Sequence, residues 1–135
     1  MTQLTDIFAD YATDETLENS GATFPLKGDS TLVVARSGNR AYAKALTLAV
    51  EQNRKLLDLN NDASEAKSEE IMIDVLARTV LLGWSNLSFK GAELPYSVEN
   101  AKKLLAVKDF RRVVTTLADD SSAYRAKLET QQGEA

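Results

Sequence analysis

The chain has 135 residues, of which 44% are apolar and 27% charged, and it contains no cysteine and no histidine. These values are ordinary for a globular protein of one domain, so we expect residues 1–135 to form a single domain. Without cysteine or histidine, disulfides, thiolate chemistry, the commonest general base and the commonest metal ligand are excluded. We therefore expect no catalytic residues, no cofactor and no metal, and a protein that is not an enzyme.

The net charge of −4 makes the chain a poor electrostatic partner for DNA or for an anionic membrane. It also lacks the run of roughly 20 apolar residues that a membrane span requires. We expect neither nucleic acid nor membrane among its partners.

Residues 1–21 combine an apolar pattern with a cluster of acids. Leu4, Ile7, Phe8 and Tyr11 recur at spacings of three and four, which predicts a short amphipathic helix. The acids that follow, from Asp14 onward, predict a solvated acidic loop to residue 21. A metal-binding cluster is the alternative, and acids without a ligand spacing give it little support.

A β-hairpin is predicted over residues 22–36. Residues 22–26 and 31–36 flank the turn residues Gly28 and Asp29, and the second of these segments contains the strand-favouring residues Thr31, Val33 and Val34. Pro25 cannot donate a ladder hydrogen bond, so the first strand should lie at an edge of its sheet.

A helical core is predicted over residues 40–118. Its first helix runs over 40–59 behind the N-cap Asn39, and its second over 64–82 behind a capping box from Asp62 to Glu65. The second helix is apolar nearly all round from Ile71 onward, so it should be surrounded by other elements.

Within that second helix, Asp74 and Arg78 are spaced for a local ion pair. A catalytic carboxylate beside an arginine is the alternative reading, and the structural pair is far commoner.

The second half of the core begins after Gly83, which is predicted to end the second helix. Trp84 is predicted to be a buried anchor, with an exposed interface residue as the alternative. Ser97 should cap a helix that runs to about Val107. Lys108 and Asp109 should interrupt the helical structure before a further helix to Leu117. Residues 119–135 are expected to form a short helix, with Tyr124 and Leu128 on its apolar side, and a frayed tail.

The fold expected from these elements is mainly α (α+β): a bundle of about four or five helices with an N-terminal β-hairpin. A two-stranded hairpin is marginal alone, so it must pack on its own bundle or on a second copy. The few helices also leave apolar surface that another copy would cover. The candidate surface for a partner or for self-association is Phe24, Leu26, Val33, Trp84, Phe89 and Tyr96.

Two phrases of the sequence carry a resemblance to a known family. The first, Leu32 to Tyr42, contains Val-Ala-Arg-x-Gly-Asn-x-x-Tyr, and the second, Trp84 to Leu105, contains Pro-Tyr-Ser-x-Glu-Asn followed by Leu-Leu. Both couple turn residues to apolar anchors at set spacing. The chain resembles the tail assembly chaperones of long-tailed bacteriophages in these phrases, and in layout from about Gly21 to about Leu117.

The resemblance implies a non-enzymatic chaperone in the host cytoplasm that binds the tape measure protein, assists tail tube assembly and is absent from the mature virion. It also implies a homo-oligomer, and a frameshifted extension of the chain that recruits the tail tube protein. The alternative is a structural virion protein such as a head–tail connector or tail completion subunit. A structural subunit would stay in purified particles.

Overall fold

The computed structural model describes residues 2–127, which form seven α-helices, one 3₁₀ helix and five short strands. The α-helices are α1 (Ile7–Tyr11), α2 (Glu15–Ser20), α3 (Arg40–Gln52), α4 (Arg54–Leu57), α5 (Asp62–Thr79), α6 (Val98–Leu105) and α7 (Lys108–Ala118). The 3₁₀ helix is Ser121–Tyr124, and the strands are β1 (Ala22–Pro25), β2 (Thr31–Val34), β3 (Leu81–Ser85), β4 (Ser88–Phe89) and β5 (Ala92–Glu93). No helix in residues 2–127 is long and apolar enough to cross a membrane.

Strands β1, β2 and β3 form an antiparallel sheet with β2 in the centre. The hairpin predicted for β1 and β2 is confirmed, and so is the edge position of the strand that contains Pro25. Leu32 is paired with Phe24 on one side and with Trp84 on the other, so these three side chains share one face of the sheet. That face is turned toward the helices, since Leu32 and Val34 are fully buried.

The core lies between this sheet and the helices, with α5 as the central helix. Helix α5 contacts α3, α4 and α6 and leads directly into β3. The buried cluster draws on the sheet, α5, α6, α7 and the 3₁₀ helix: Phe24, Leu32, Val34, Leu76, Ala77, Val80, Leu81, Ala101, Leu105, Val114, Ala118 and Tyr124. The core is therefore a helix-on-sheet core.

The predicted bundle of about four or five helices is wrong. Leu81 and Leu82, assigned to the end of a long helix, belong to β3, which pairs with β2. Helix α5 ends at Thr79, and Val80 leaves helical geometry with φ −123° and ψ −56°. A short apolar run is compatible with a buried strand as well as with a helix, and pairing with a distant strand decides between them.

The helix predicted over residues 40–59 is interrupted at Asn53. This residue has φ −119° and ψ 18°, and its amide Nδ2 donates to the carbonyl of Ala49 at 2.8 Å. Such a side-chain bond competes with the helical ladder, so α3 ends and the single turn of α4 follows. Leu59, the last residue of the predicted helix, lies beyond α4 and is 61% exposed.

Two of the predicted caps are confirmed and one is misplaced. The side chain of Asn39 accepts a hydrogen bond from the backbone of Tyr42, and that of Ser97 accepts one from Asn100. Helix α5 is capped by Asn61 and Ser64 in a reciprocal box, one residue before the predicted Asp62.

Three further segments differ from the prediction. The acidic loop is a helix, α2, because the carboxylate of Asp14 accepts hydrogen bonds from the backbone of Thr16 and Leu17. Residues 108 and 109 are the first residues of α7 and do not separate two helices as a non-helical segment. The last predicted helix is a single 3₁₀ turn that buries Tyr124, while Leu128 and the predicted tail lie outside the described residues.

Candidate interaction surface

We call Trp84 on β3 and Tyr96 before α6, together with Phe89 on the intervening hairpin of β4 and β5, the aromatic corner. The rings of Trp84 and Tyr96 meet edge to face, with centroids 4.9 Å apart and planes at 77°. The indole Nε1 of Trp84 donates to the carbonyl of Leu94 at 2.7 Å. Both contacts tie β3 to the segment that leads into α6, so Trp84 organises the loop as well as packing on the core.

Tyr96 is the most exposed member of the corner. Its side chain is 37% exposed, although its hydroxyl donates to the carbonyl of Leu81 at 3.2 Å and burial raises its pKa. Phe89 is partly exposed on β4, with the ammonium of Lys90 5.5 Å from its ring centre. Large aromatic residues with one buried and one exposed side are enriched at protein interfaces.

The other three predicted surface residues do not join this corner. Phe24 is 9% exposed and packs 6.4 Å from the ring of Tyr124, within the core. Leu26 is partly buried against the same core. Val33 points to the opposite face of the sheet, where the backbone of Gly21 and Gly83 approaches it. The hairpin therefore packs on its own domain, which was the alternative to pairing with a second copy.

The most exposed apolar group in residues 2–127 lies outside the candidate surface predicted from the sequence. Leu4, Ile7, Phe8 and Tyr11 are 87%, 63%, 69% and 60% exposed. The helix that these residues predict is confirmed as α1, but its apolar side is not packed on the core. We call residues 2–11 the N-terminal arm. The periodic spacing was the available signal, and it shows that a helix has an apolar face without showing what covers it.

The base of the N-terminal arm is attached to the end of the described chain. The backbone N–H of Asp14 donates to Tyr124 at 2.8 Å, and that of Ala126 donates to Ala12 at 2.9 Å. The guanidinium of Arg125 lies 5.5 Å from the ring centre of Tyr11. The arm is thus held next to the 3₁₀ helix with its apolar side facing outward.

The predicted pair of Asp74 and Arg78 is confirmed, and a third residue joins it. The carboxylate of Asp74 lies 3.0 Å from Nε of Arg78 and 2.9 Å from Nζ of Lys102 on α6. Burial acts to raise the pKa of Asp74, but the hydrogen bonds from Lys102 and Arg78 outweigh it and hold that pKa below its ordinary value. The group links α5 to α6, and no cluster of acids in residues 2–127 is placed to hold a metal ion.

Comparison with known proteins places the chain in one family. The family model described as YdaY prophage protein matches residues 37–134, which is more than half of the chain. The chain is a phage-derived protein, and it belongs to the YdaY prophage protein family. No curated protein and no solved structure matches it.

Proposed function

We propose that this chain is a non-enzymatic tail assembly chaperone, which binds the tape measure protein of its phage in the host cytoplasm and assists tail tube assembly. Its phage origin supports the proposal, because such chaperones are encoded by phages. The two phrases that resemble the tail assembly chaperones add more specific support.

The observation that carries the proposal is that these two phrases pack directly on each other. Leu32 in the first phrase is the register partner of Trp84 in the second. Asn39, also in the first phrase, donates to the carbonyl of Thr79 at 2.9 Å, just before β3. Segments about fifty residues apart therefore form one structural unit.

The surface that we propose for the client is the aromatic corner, because it belongs to the second phrase and exposes part of its rings. The tape measure protein is a long helical chain with apolar side chains, and aromatic grooves commonly bind the apolar side of such a helix. The corner supplies a rigid anchor, since Trp84 and Tyr96 are held by hydrogen bonds to Leu94 and Leu81.

Co-purification of the tape measure protein with a tagged copy of this chain tests the proposal. Phe89→Ser is the informative variant, because Phe89 is partly exposed and lies outside the buried cluster. We expect it to lower the recovered client severalfold while the melting temperature stays within a few degrees. Val107→Ser is the matched control, since Val107 is 46% exposed just before α7 and is not one of the residues that define the aromatic corner. Equal recovery of the client with all three proteins would refute the aromatic corner as its binding surface. No recovery with the unmodified chain would refute the tape measure protein as the client.

Analysis of purified phage particles separates the chaperone from the alternative, a head–tail connector or tail completion subunit. We expect this chain to be missing from mature particles and present in the lysate. A fixed number of copies in every particle would establish a structural subunit.

A further inference from the structure

We propose that the N-terminal arm binds a second copy of this chain, with its apolar side against the exposed face of α3. We call this the α3 face and define it as Arg40, Ala43, Lys44, Thr47, Leu48 and Glu51. This contact would join copies of the chain whether or not the tape measure protein is the client.

Charge is the first argument for this occupant. Five of the chain's 20 acidic residues and none of its 16 basic residues lie in residues 1–26. The remainder of the chain consequently carries a net charge of +1, although the whole chain carries −4. Residues 40–58, which include α3 and α4, contain four basic and two acidic residues. The arm carries two of these five acids, Asp6 and Asp10, and no basic residue, whereas the segment that contains α3 and α4 is mainly basic.

The spacing of charged and apolar residues is the second argument. Asp6 and Asp10 are four residues apart on the arm, and Arg40 and Lys44 are four residues apart on α3. Both pairs span about one helical turn, so the two carboxylates can lie opposite the two cations. Arg40 already pairs with Glu15 at 3.0 Å, whereas Lys44 forms no ion pair within residues 2–127. Lys44 is therefore the cation that an incoming carboxylate would meet first.

The apolar side chains beside these charges also match. The arm offers Ile7, Phe8 and Tyr11, and α3 offers Leu48, which is 55% exposed, next to the small residues Ala43 and Thr47. Small residues beside a leucine leave room for an aromatic ring, as in other helix-in-groove contacts. Contact between the two surfaces would remove from water the most exposed apolar groups on both.

The arm should bind the α3 face of a second copy and not that of its own chain, because the base of the arm is fixed. Backbone hydrogen bonds hold Ala12 and Asp14 beside Tyr124 and Ala126. With the arm in that position, both its apolar side and Leu48 remain exposed. The two surfaces of one chain therefore do not cover each other, and each is open to another copy.

Such a contact joins different surfaces of the two partners, so it is heterologous and repeats from copy to copy into a ring or a chain unless two copies exchange arms. The arm has 10 residues, fewer than the roughly 20–30 residues that each partner contributes to a typical stable interface. Association should therefore be weak between two copies and stronger when several contacts close.

Sedimentation or light scattering of the full chain over a range of concentrations tests the proposal. We expect the average mass to rise above that of the monomer with concentration, and to fall when salt is added because exposed charges are screened. Phe8→Ser and Leu48→Ser should each give a monomer, and Leu59→Ser, at an equally exposed leucine, should behave as the unmodified chain.

Mixing the two monomeric variants is the decisive step. Phe8→Ser keeps an intact α3 face and Leu48→Ser keeps an intact arm, so the mixture should form dimers although neither variant does so alone. A mixture that stays monomeric, or a full chain that is monomeric at high concentration, would overturn the proposal. Self-association of Phe8→Ser alone or of Leu48→Ser alone would also overturn it.

The charges are tested by a swap. Lys44→Glu should weaken association about fivefold, as expected for one exposed charge pair turned repulsive. Adding Asp10→Lys to the chain that carries Lys44→Glu should restore the association between copies. A double variant as weak as the single one would exclude the pairing of Asp10 with Lys44.

Discussion

At the scale of single residues, two aromatic side chains connect the sheet to segments far along the chain. Trp84 reaches the carbonyl of Leu94 across the β4–β5 hairpin, and Tyr124 donates its hydroxyl to the carbonyl of Val34 at 2.7 Å. Each combines a large apolar contact with one hydrogen bond, so each contributes through both packing and polar pairing.

Replacing Trp84 tests its role as an anchor. Because the ring is only partly buried, Trp84→Ala should lower the free energy of unfolding by about 2–3 kcal/mol, near the low end for large aromatic truncations. Trp84→Phe keeps an apolar ring and loses the indole donor, so about 1 kcal/mol is expected. Chemical denaturation measures both. Unchanged stability of Trp84→Ala would reassign this residue to a purely exposed surface.

Tyr124 gives the protein a dependence on alkaline pH. Burial raises its pKa from 10.0 to about 12, so the folded state holds the phenol proton more tightly than the unfolded state. The resulting stabilisation is complete below pH 10.0 and is lost as the pH rises through about 12. Tyr124→Phe should be less stable than the unmodified chain by about 1 kcal/mol at neutral pH. The difference between the two proteins should shrink above pH 10.0, and a constant difference would contradict the assignment.

At the scale of secondary structure, Asn39 joins the start of α3 to the end of α5. Its Nδ2 donates to the carbonyls of Arg36 and Thr79, and its Oδ1 accepts from the backbone of Tyr42. Asn39→Ala removes all three bonds and leaves a buried carbonyl without its partner, so about 3 kcal/mol of stability should be lost. Ser97→Ala removes one cap bond and should cost about 1 kcal/mol. Equal losses in thermal unfolding would show that Asn39 is only a cap.

Gly21 ends α2 at a point where the chain passes close to β2. A Cβ built there would lie 2.7 Å from Cγ1 of Val33, and the residue has φ +100°. Gly28 has φ +60° with no atom within 4 Å of such a Cβ. A substitution at Gly28 therefore causes backbone strain alone, whereas one at Gly21 causes both strain and crowding. Gly28→Ala should cost about 1 kcal/mol and Gly21→Ala about 3 kcal/mol. Similar unfolding midpoints for the two variants would argue against the close contact.

Signals contained within a few residues predicted the elements that they govern. Pro25 and the turn at Gly28 identified the edge strand and the hairpin, and Asn39 and Ser97 identified two helix starts. Strand β3 was missed because Leu81 and Leu82 become a strand only by pairing with β2, about fifty residues earlier. The local apolar pattern does not contain that information.

At the scale of the whole molecule, the candidate surface was also misjudged because a local apolar pattern does not show which distant segment packs on it. The sequence showed that Phe24 and Phe8 both lie on apolar faces, and it assigned Phe24 to a surface. In the structure Phe24 is 9% exposed and Phe8 is 69% exposed. Exposure depends on which tertiary partner covers a face, so it could not be predicted from either segment alone. Trp84 and Tyr96, which both belong to the candidate surface, meet edge to face in the structure.

Acidic and basic residues are unevenly distributed along the chain. The N-terminal arm is acidic and apolar, while α3 and α4 are mainly basic, and the aromatic corner belongs to neither. In our proposals, the arm and the α3 face bind between copies, and the aromatic corner binds the client.

The central claim is that this chain protects the tape measure protein before the tail tube closes around it. The most direct measurement is the soluble yield of that protein when it is expressed with and without this chain. We predict that co-expression moves the client from the insoluble to the soluble fraction, and that Phe89→Ser does so less well than Val107→Ser. A client that is equally insoluble in the presence of the chain would contradict the account.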